Sequence, residues 1–170
     1  MDHGQEIEGA PVAEALPERQ HADHEVAAGS VAGVCAGAVV CLTAMAATRG
    51  EGGFLLPLRL VAASLLGDAA LDSGTVVGPV ALGMLLVALV SVVWGLVYAS
   101  ILPQGSRTPA AVLVGLVYAA AVYAIAWRGA GRVLAPVLHA AGDPMAVLGL
   151  HALFGLLLGL LVPFLRKVLP

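Results

Sequence analysis

The sequence predicts an all-α, polytopic membrane protein: four transmembrane helices built as two parallel helix-pair repeats, each with a short interfacial helix. Three observations predict it. Of 170 residues, 60% are hydrophobic and 11% charged, with a mean hydropathy of +0.97, and so few charges cannot clothe a soluble globule. Four apolar runs reach the roughly 20 residues that a helix needs to cross a hydrocarbon core: about Gly29 to Thr48, Pro79 to Leu102, Pro109 to Trp127 and Met145 to Leu165. The frame R-G-x-G-x-x-L-x-P occurs twice, at Arg49 to Pro57 and Arg128 to Pro136, each time directly after an apolar run.

Residues 1–27 read as a disordered acidic tail. They hold Asp2, Glu6, Glu8, Glu14, Glu18, Asp23 and Glu25 against Arg19 alone and lack periodicity. An acidic stretch ahead of the first run argues against a cleaved secretory signal, so that span is expected to be retained. Apolar residues surround each run instead of forming a stripe, which favours lipid-bathed spans over surface helices. Cys35 and Cys41 lie in the first span, about 120° apart around a helix, so they cannot pair within it. Next comes an interfacial helix over Gly53 to Gly67, where Pro57 fits the first turn and Arg59 is placed to snorkel to headgroups. The second span follows, then the third. Val133 to Ala141 reads as a shorter copy of the interfacial helix, ahead of the last span.

The repeat continues into the spans, since Ser91-Val92-Val93-Trp94-Gly95-Leu96 aligns with His151-Ala152-Leu153-Phe154-Gly155-Leu156, and Ala99 with Gly159. The duplicated units are about 29–102 and 109–165, forming one transmembrane domain over 28–170. Two spans per unit return the chain to its starting side, so the copies are expected to be parallel, related by an axis along the membrane normal. Small residues mark helix-packing faces: Gly29, Gly33 and Gly37; Ser91, Gly95 and Ala99; Gly155 and Gly159. These faces serve either the bundle interior or an outside partner.

Arg49, Arg59, Arg128 and Arg132 read as lipid or headgroup anchors, with Arg49 and Arg128 ending their spans at equivalent places. Cations balance across the membrane, Arg19, Arg107, Arg166 and Lys167 facing Arg49, Arg59, Arg128 and Arg132. Arg166 and Lys167 abut the last span, which assigns the termini to the cytoplasm. The dominance of Ala, Gly, Val, Leu and Arg points to a bacterium and thus its inner membrane. A net charge of −3 excludes a basic nucleic-acid footprint.

His151 is the leading candidate for chemistry, because an ionisable ring inside a span should face the bundle interior or a cavity. With His139 on the same side, it suits a haem, a quinone or a proton relay; a neutral ring bonded to a carbonyl requires none of these. His21 and His24, with His3, lack the fixed geometry of a metal site, and no metal or cofactor is expected. No nucleophile-elbow, zincin, P-loop or Rossmann pattern occurs, and no predicted span contains Asp or Glu. The aromatics Trp94, Tyr98, Tyr118, Tyr123 and Trp127 read as belt and packing residues.

The segments Gly53-Phe54-Leu55-Leu56-Pro57-Leu58-Arg59-Leu60 and His151-Ala152-Leu153-Phe154-Gly155-Leu156 resemble uncharacterised bacterial four-span integral membrane proteins of unknown function. That resemblance, over roughly residues 29 to 165, implies a fold and no activity. Three functional expectations follow. The first is a non-enzymatic structural or accessory subunit, packing through its glycine faces against other membrane subunits or itself, amid membrane lipids. The second is a small-solute carrier or pore with a continuous cavity lined by Ser91, Tyr98 and His151. The third is a haem- or quinone-binding redox module centred on His151.

Overall fold

The computed structural model describes residues 12–50, 52–72, 74 and 76–169, with side chains from residue 23 onward. Every element among the described residues is helical. Helix α1 (Val12–Ala47) is followed by the interfacial helix α2 (Leu56–Leu66), with Pro57 in its first turn, and by α3 (Val77–Ile101). Helix α4 (Thr108–Tyr123) runs through a π turn, Ala124–Ala130, into α5 (Gly131–Leu134). The short α6 (Pro136–Ala141) and the long α7 (Pro144–Val168) complete the chain. The carboxylate of Asp143 caps α7, its Oδ2 accepting the Ala146 N–H at 2.8 Å.

Four helical stretches are long and apolar enough to cross a membrane: Asp23–Gly50, Val77–Ile101, Thr108–Leu134 and Pro144–Val168. They match the predicted spans with two differences. Residues 1–11 lie outside the described residues, but from Val12 the expected disordered tail is helical. Ala, Glu, Leu, Arg and Gln here are strong helix formers, and hydropathy alone does not register that propensity. The third span also continues past Trp127, because the π turn carries the helix through the second Arg-Gly corner. A Cβ at Gly131 would stand 2.6 Å from the Ala126 carbonyl oxygen, so glycine permits that turn. Arg128 therefore does not end its span as Arg49, in the 3₁₀ turn Thr48–Gly50, does.

Within each unit the two spans are antiparallel and nearly touching. On the α1–α3 face Gly29 meets Ala99, Gly33 meets Gly95, and Gly37 meets Ser91. In the same register on the α4–α7 face, Ala111 meets Gly159, Gly115 meets Gly155, and Ala119 also lies against Gly155. Added Cβ atoms would stand 2.9 Å from Ala99 Cβ at Gly29 and 2.6 Å from Val112 Cα at Gly159, too close for any larger residue. All eight small residues marked in the sequence therefore pack inside the bundle. Their partners Ala111, Gly115 and Ala119 carry no signal in the sequence, since alanine is too common here to stand out.

The units join along α1–α7, while α3 and α4 stand apart and are bridged by side chains. Two tyrosines fill that gap. The Tyr98 hydroxyl donates to the Ala111 carbonyl at 2.6 Å and the Tyr118 hydroxyl to the Trp94 carbonyl at 2.8 Å, with ring centroids 5.4 Å apart. Neither belongs to an interfacial belt: Tyr98 is 0% exposed, and a phenol at this depth must find a partner. Around them Leu158, Val162, Ala36 and Val122 form the core.

The tail-side end is tied by Arg166. Its Nε donates to Glu25 Oε2 at 3.0 Å, Nη1 to the Leu102 carbonyl at 3.1 Å and Nη2 to the Ala99 carbonyl at 2.7 Å. One guanidinium thus joins α1, α3 and α7 and satisfies carbonyls at the C-terminal end of α3. At the opposite, corner-side end, α2 lies on α3 where Gly83 admits the Leu58 backbone. Ala62, Ala63 and Ala70 pack with Leu82 and Val137, so the two interfacial elements meet. Arg59, expected to snorkel to headgroups, instead donates from Nε to the Ala70 carbonyl at 2.9 Å and from Nη2 to the Asp72 carbonyl at 3.0 Å. The 3₁₀ turn Gly67–Leu71 leaves these carbonyls without helical partners, and the guanidinium reaches them first.

Candidate functional site: an apolar cavity between the two units

Packing divides the bundle into a closed half and an open half. Glycine contacts and tyrosine rings shut the tail-side half, whereas toward the corners the facing residues become Val40, Leu86, Val87, Val90, Val122 and Val147. Branched side chains hold helices apart where glycines let them touch. The result is a cavity of about 990 Å³, bounded by all four spans and both interfacial helices. Ser91, Trp94, His151 and Phe154 lie at its deep end, and Leu56, Pro57, Leu58, Leu138 and Gly142 toward the corners.

Ser91 and His151 occupy the same place in the two units, one helical turn before Gly95 and Gly155. His151 Nδ1 lies 2.8 Å from the Val147 carbonyl, one turn back. A carbonyl only accepts, so Nδ1 carries the proton and donates, leaving Nε2 with a lone pair. The edge-on Tyr123 ring, 5.6 Å away, holds the imidazole plane. Ser91, 7% exposed, makes no hydrogen bond to a described residue, unlike Ser64 and Ser100, which bond back to their own helices. Each unit thus brings one polar group without a protein partner to the same apolar space.

His139 does not join them. Its ring packs on Trp127 with centroids 4.7 Å apart, and its Nδ1 is buried with no partner among the described residues. His139 and His151 therefore rest on different aromatic rings and do not form the facing pair expected for a bis-histidine haem. Trp127, 5% exposed, is a cavity wall with its ring against Gly142, not a belt residue. Cys41 lines the cavity too, while Cys35 is exposed on the outer face. Tyr98 is absent from the lining; it belongs to the packed layer beneath. The continuous cavity over Ser91, Tyr98 and His151 is accordingly replaced by a blind one.

Other marked residues lie elsewhere. Arg49, Arg128 and Arg132 are exposed at the corner-side end, compatible with headgroup contact. His3 and the side chain of His21 fall outside the described residues, while His24 borders a second, tail-side cavity of about 450 Å³ with Glu25, Arg107, Arg166 and Lys167. Among the described residues no group of three or more metal-ligating side chains comes together. Nothing in the sequence marks Trp94, Trp127 and Cys41 as a shared lining, because their common destination depends on where four helices diverge.

The fold defines a multi-pass α-helical membrane protein with an apolar cavity in one half of its bundle. No protein-family model, curated protein or solved structure matches the chain.

Proposed function

We propose that this chain is a non-enzymatic protein of the bacterial inner membrane that takes an apolar or amphipathic small molecule into the corner-side cavity, as a carrier or holding protein. The observation that carries the reading is a mainly apolar cavity of about 990 Å³ with two polar atoms at its deep end, the Ser91 hydroxyl and Nε2 of His151, that lack partners among the described residues. Ligand sites have this composition: mostly apolar walls and a few placed polar groups. A volume of this size suits one molecule of lipid or isoprenoid dimensions.

Two expectations lose support. The accessory-subunit reading drew on glycine faces available to a partner, and those faces are spent inside the bundle. The haem half of the redox reading drew on a histidine pair, and His139 is engaged with Trp127. A pore is disfavoured by the layer of Tyr98, Tyr118, Leu158 and Val162 between the cavities.

Fluorescence provides the test, because both tryptophans line the cavity. In nanodiscs, a lipid-like probe brominated along its chain should quench them saturably at low mole fraction. Ala44→Phe, which projects a ring into the cavity, should abolish the saturable part while leaving the helical circular dichroism intact. Quenching that rises only linearly with probe, as for tryptophans facing bulk lipid, would remove the basis of the proposal.

A further inference from the structure

Building on the cavity reading, we propose that the occupant is an apolar alcohol, a long-chain or isoprenoid alcohol or a quinol, whose hydroxyl donates a hydrogen bond to Nε2 of His151.

A neutral imidazole has one N–H and one lone pair. In His151 the N–H is committed to the Val147 carbonyl at 2.8 Å, and the Tyr123 edge opposes reorientation of the ring. What it offers the cavity is an acceptor. Ligands that only accept, such as oxidised quinones, ketones and esters, leave that acceptor unpaired, and hydrocarbons do the same. An alcohol satisfies it. Ser91, at the matching place in the other unit, both donates and accepts, so it tolerates the hydroxyl without choosing it.

The rest of the lining is mainly apolar, with its polar residues Thr48 and Asp143 at the corner-side mouth, so at the deep end the hydroxyl must sit on a hydrocarbon body. Leaving a buried acceptor unpaired costs about 1–3 kcal/mol. Since about 1.4 kcal/mol is a factor of ten, the alcohol should bind about 5- to 150-fold more tightly than an otherwise identical molecule without the O–H.

The test compares chain-brominated octadecanol with its methyl ether, which keeps the oxygen and the chain but loses the donor. Quenching of Trp94 and Trp127 is titrated in nanodiscs, with concentrations expressed as mole fraction in the lipid. In the wild-type protein the alcohol should reach half-saturation at about one fifth of the ether's mole fraction or less. His151→Phe should abolish that difference while still binding the ether. Equal half-saturation of the two probes by wild type would overturn the inference and leave the cavity reading standing. Absence of saturable quenching by either would overturn both. A preference for the alcohol that persists in His151→Phe would overturn the assignment to His151, as would a His151-dependent Soret band after haem-replete expression, which would make Nε2 an iron ligand. Should His151→Phe not fold, His151→Leu takes its place for the assignment to His151, and the wild-type comparison of alcohol with ether decides the need for a donor.

Discussion

Single residues set the closest distances in this molecule, and their effects separate by what a new side chain would strike. Gly155 and Gly149 lie on the same helix six positions apart, yet a Cβ at Gly155 would run into Gly115 and Ala119 while one at Gly149 meets nothing within 4 Å. We expect Gly155→Leu to lower stability by about 3 kcal/mol through overpacking. Gly149→Leu should leave it unchanged or raise it by up to about 1 kcal/mol through helix propensity. Thermal unfolding of both variants in mild detergent checks this, and coincident midpoints would mean that α4 and α7 are not in contact there. The tyrosines follow another logic. Ala111 is the first buried residue of α4, and its carbonyl also serves the helix, so removing the Tyr98 hydroxyl strands no acceptor. Tyr98→Phe should cost only about 1 kcal/mol, whereas Tyr98→Ala, which empties a fully buried site, should cost about 3–5 kcal/mol.

At the scale of elements, what matters is how helix ends are tied, and here the sequence was only partly legible. Span positions followed directly from hydropathy, and the stripes Gly29-Gly33-Gly37 and Ser91-Gly95-Ala99 could be marked because glycine every fourth residue is rare enough to register. That the two stripes face each other, and that Ala111, Gly115 and Ala119 face Gly155 and Gly159, depends on helix rotation, which composition does not encode. Arg59 and Arg166 show the same limit. Both read as membrane-edge cations, but each turns inward to carbonyls that a turn or helix end leaves free. Arg166 does this for α3 while holding Glu25 of α1, with side chains 14% and 26% exposed. Arg166→Leu should therefore destabilise the bundle by about 3 kcal/mol, since it strands a half-buried carboxylate as well as two carbonyls. Arg166→Lys should recover little of that loss, because an ammonium cannot span three partners in a fork. Full rescue by lysine, read as an unchanged melting midpoint, would reduce Arg166 to a simple charge.

Taken whole, the molecule is closed at one end and open at the other, and that asymmetry arises from where its small residues stop. Each unit carries its glycine and alanine contacts over the tail-side half, then a polar residue, Ser91 or His151, where the helices part, then branched side chains and an interfacial helix. The two parting points, at Ser91 and His151, both border the space between the units, and a cavity of about 990 Å³ lies there. The sequence repeat gave the unit; the divergence could not be read from it, because it is set by the difference in helix separation between glycine and valine contacts. Cysteine chemistry separates the two halves. In a Cys35→Ala background, Cys41 lies on the cavity wall, and a thiol placed by Leu158→Cys lies in the core, where Leu158 is 0% exposed. N-ethylmaleimide should alkylate Cys41 in the folded protein more slowly than a free thiol but faster than the bundle unfolds, and slow by about a further tenfold when a cavity probe binds at some ten times its dissociation constant. The thiol at 158 should react only as fast as the bundle unfolds, with or without the probe. Rapid labelling of both positions would mean that the tail-side half also admits small molecules, and would restore a path running the length of the bundle.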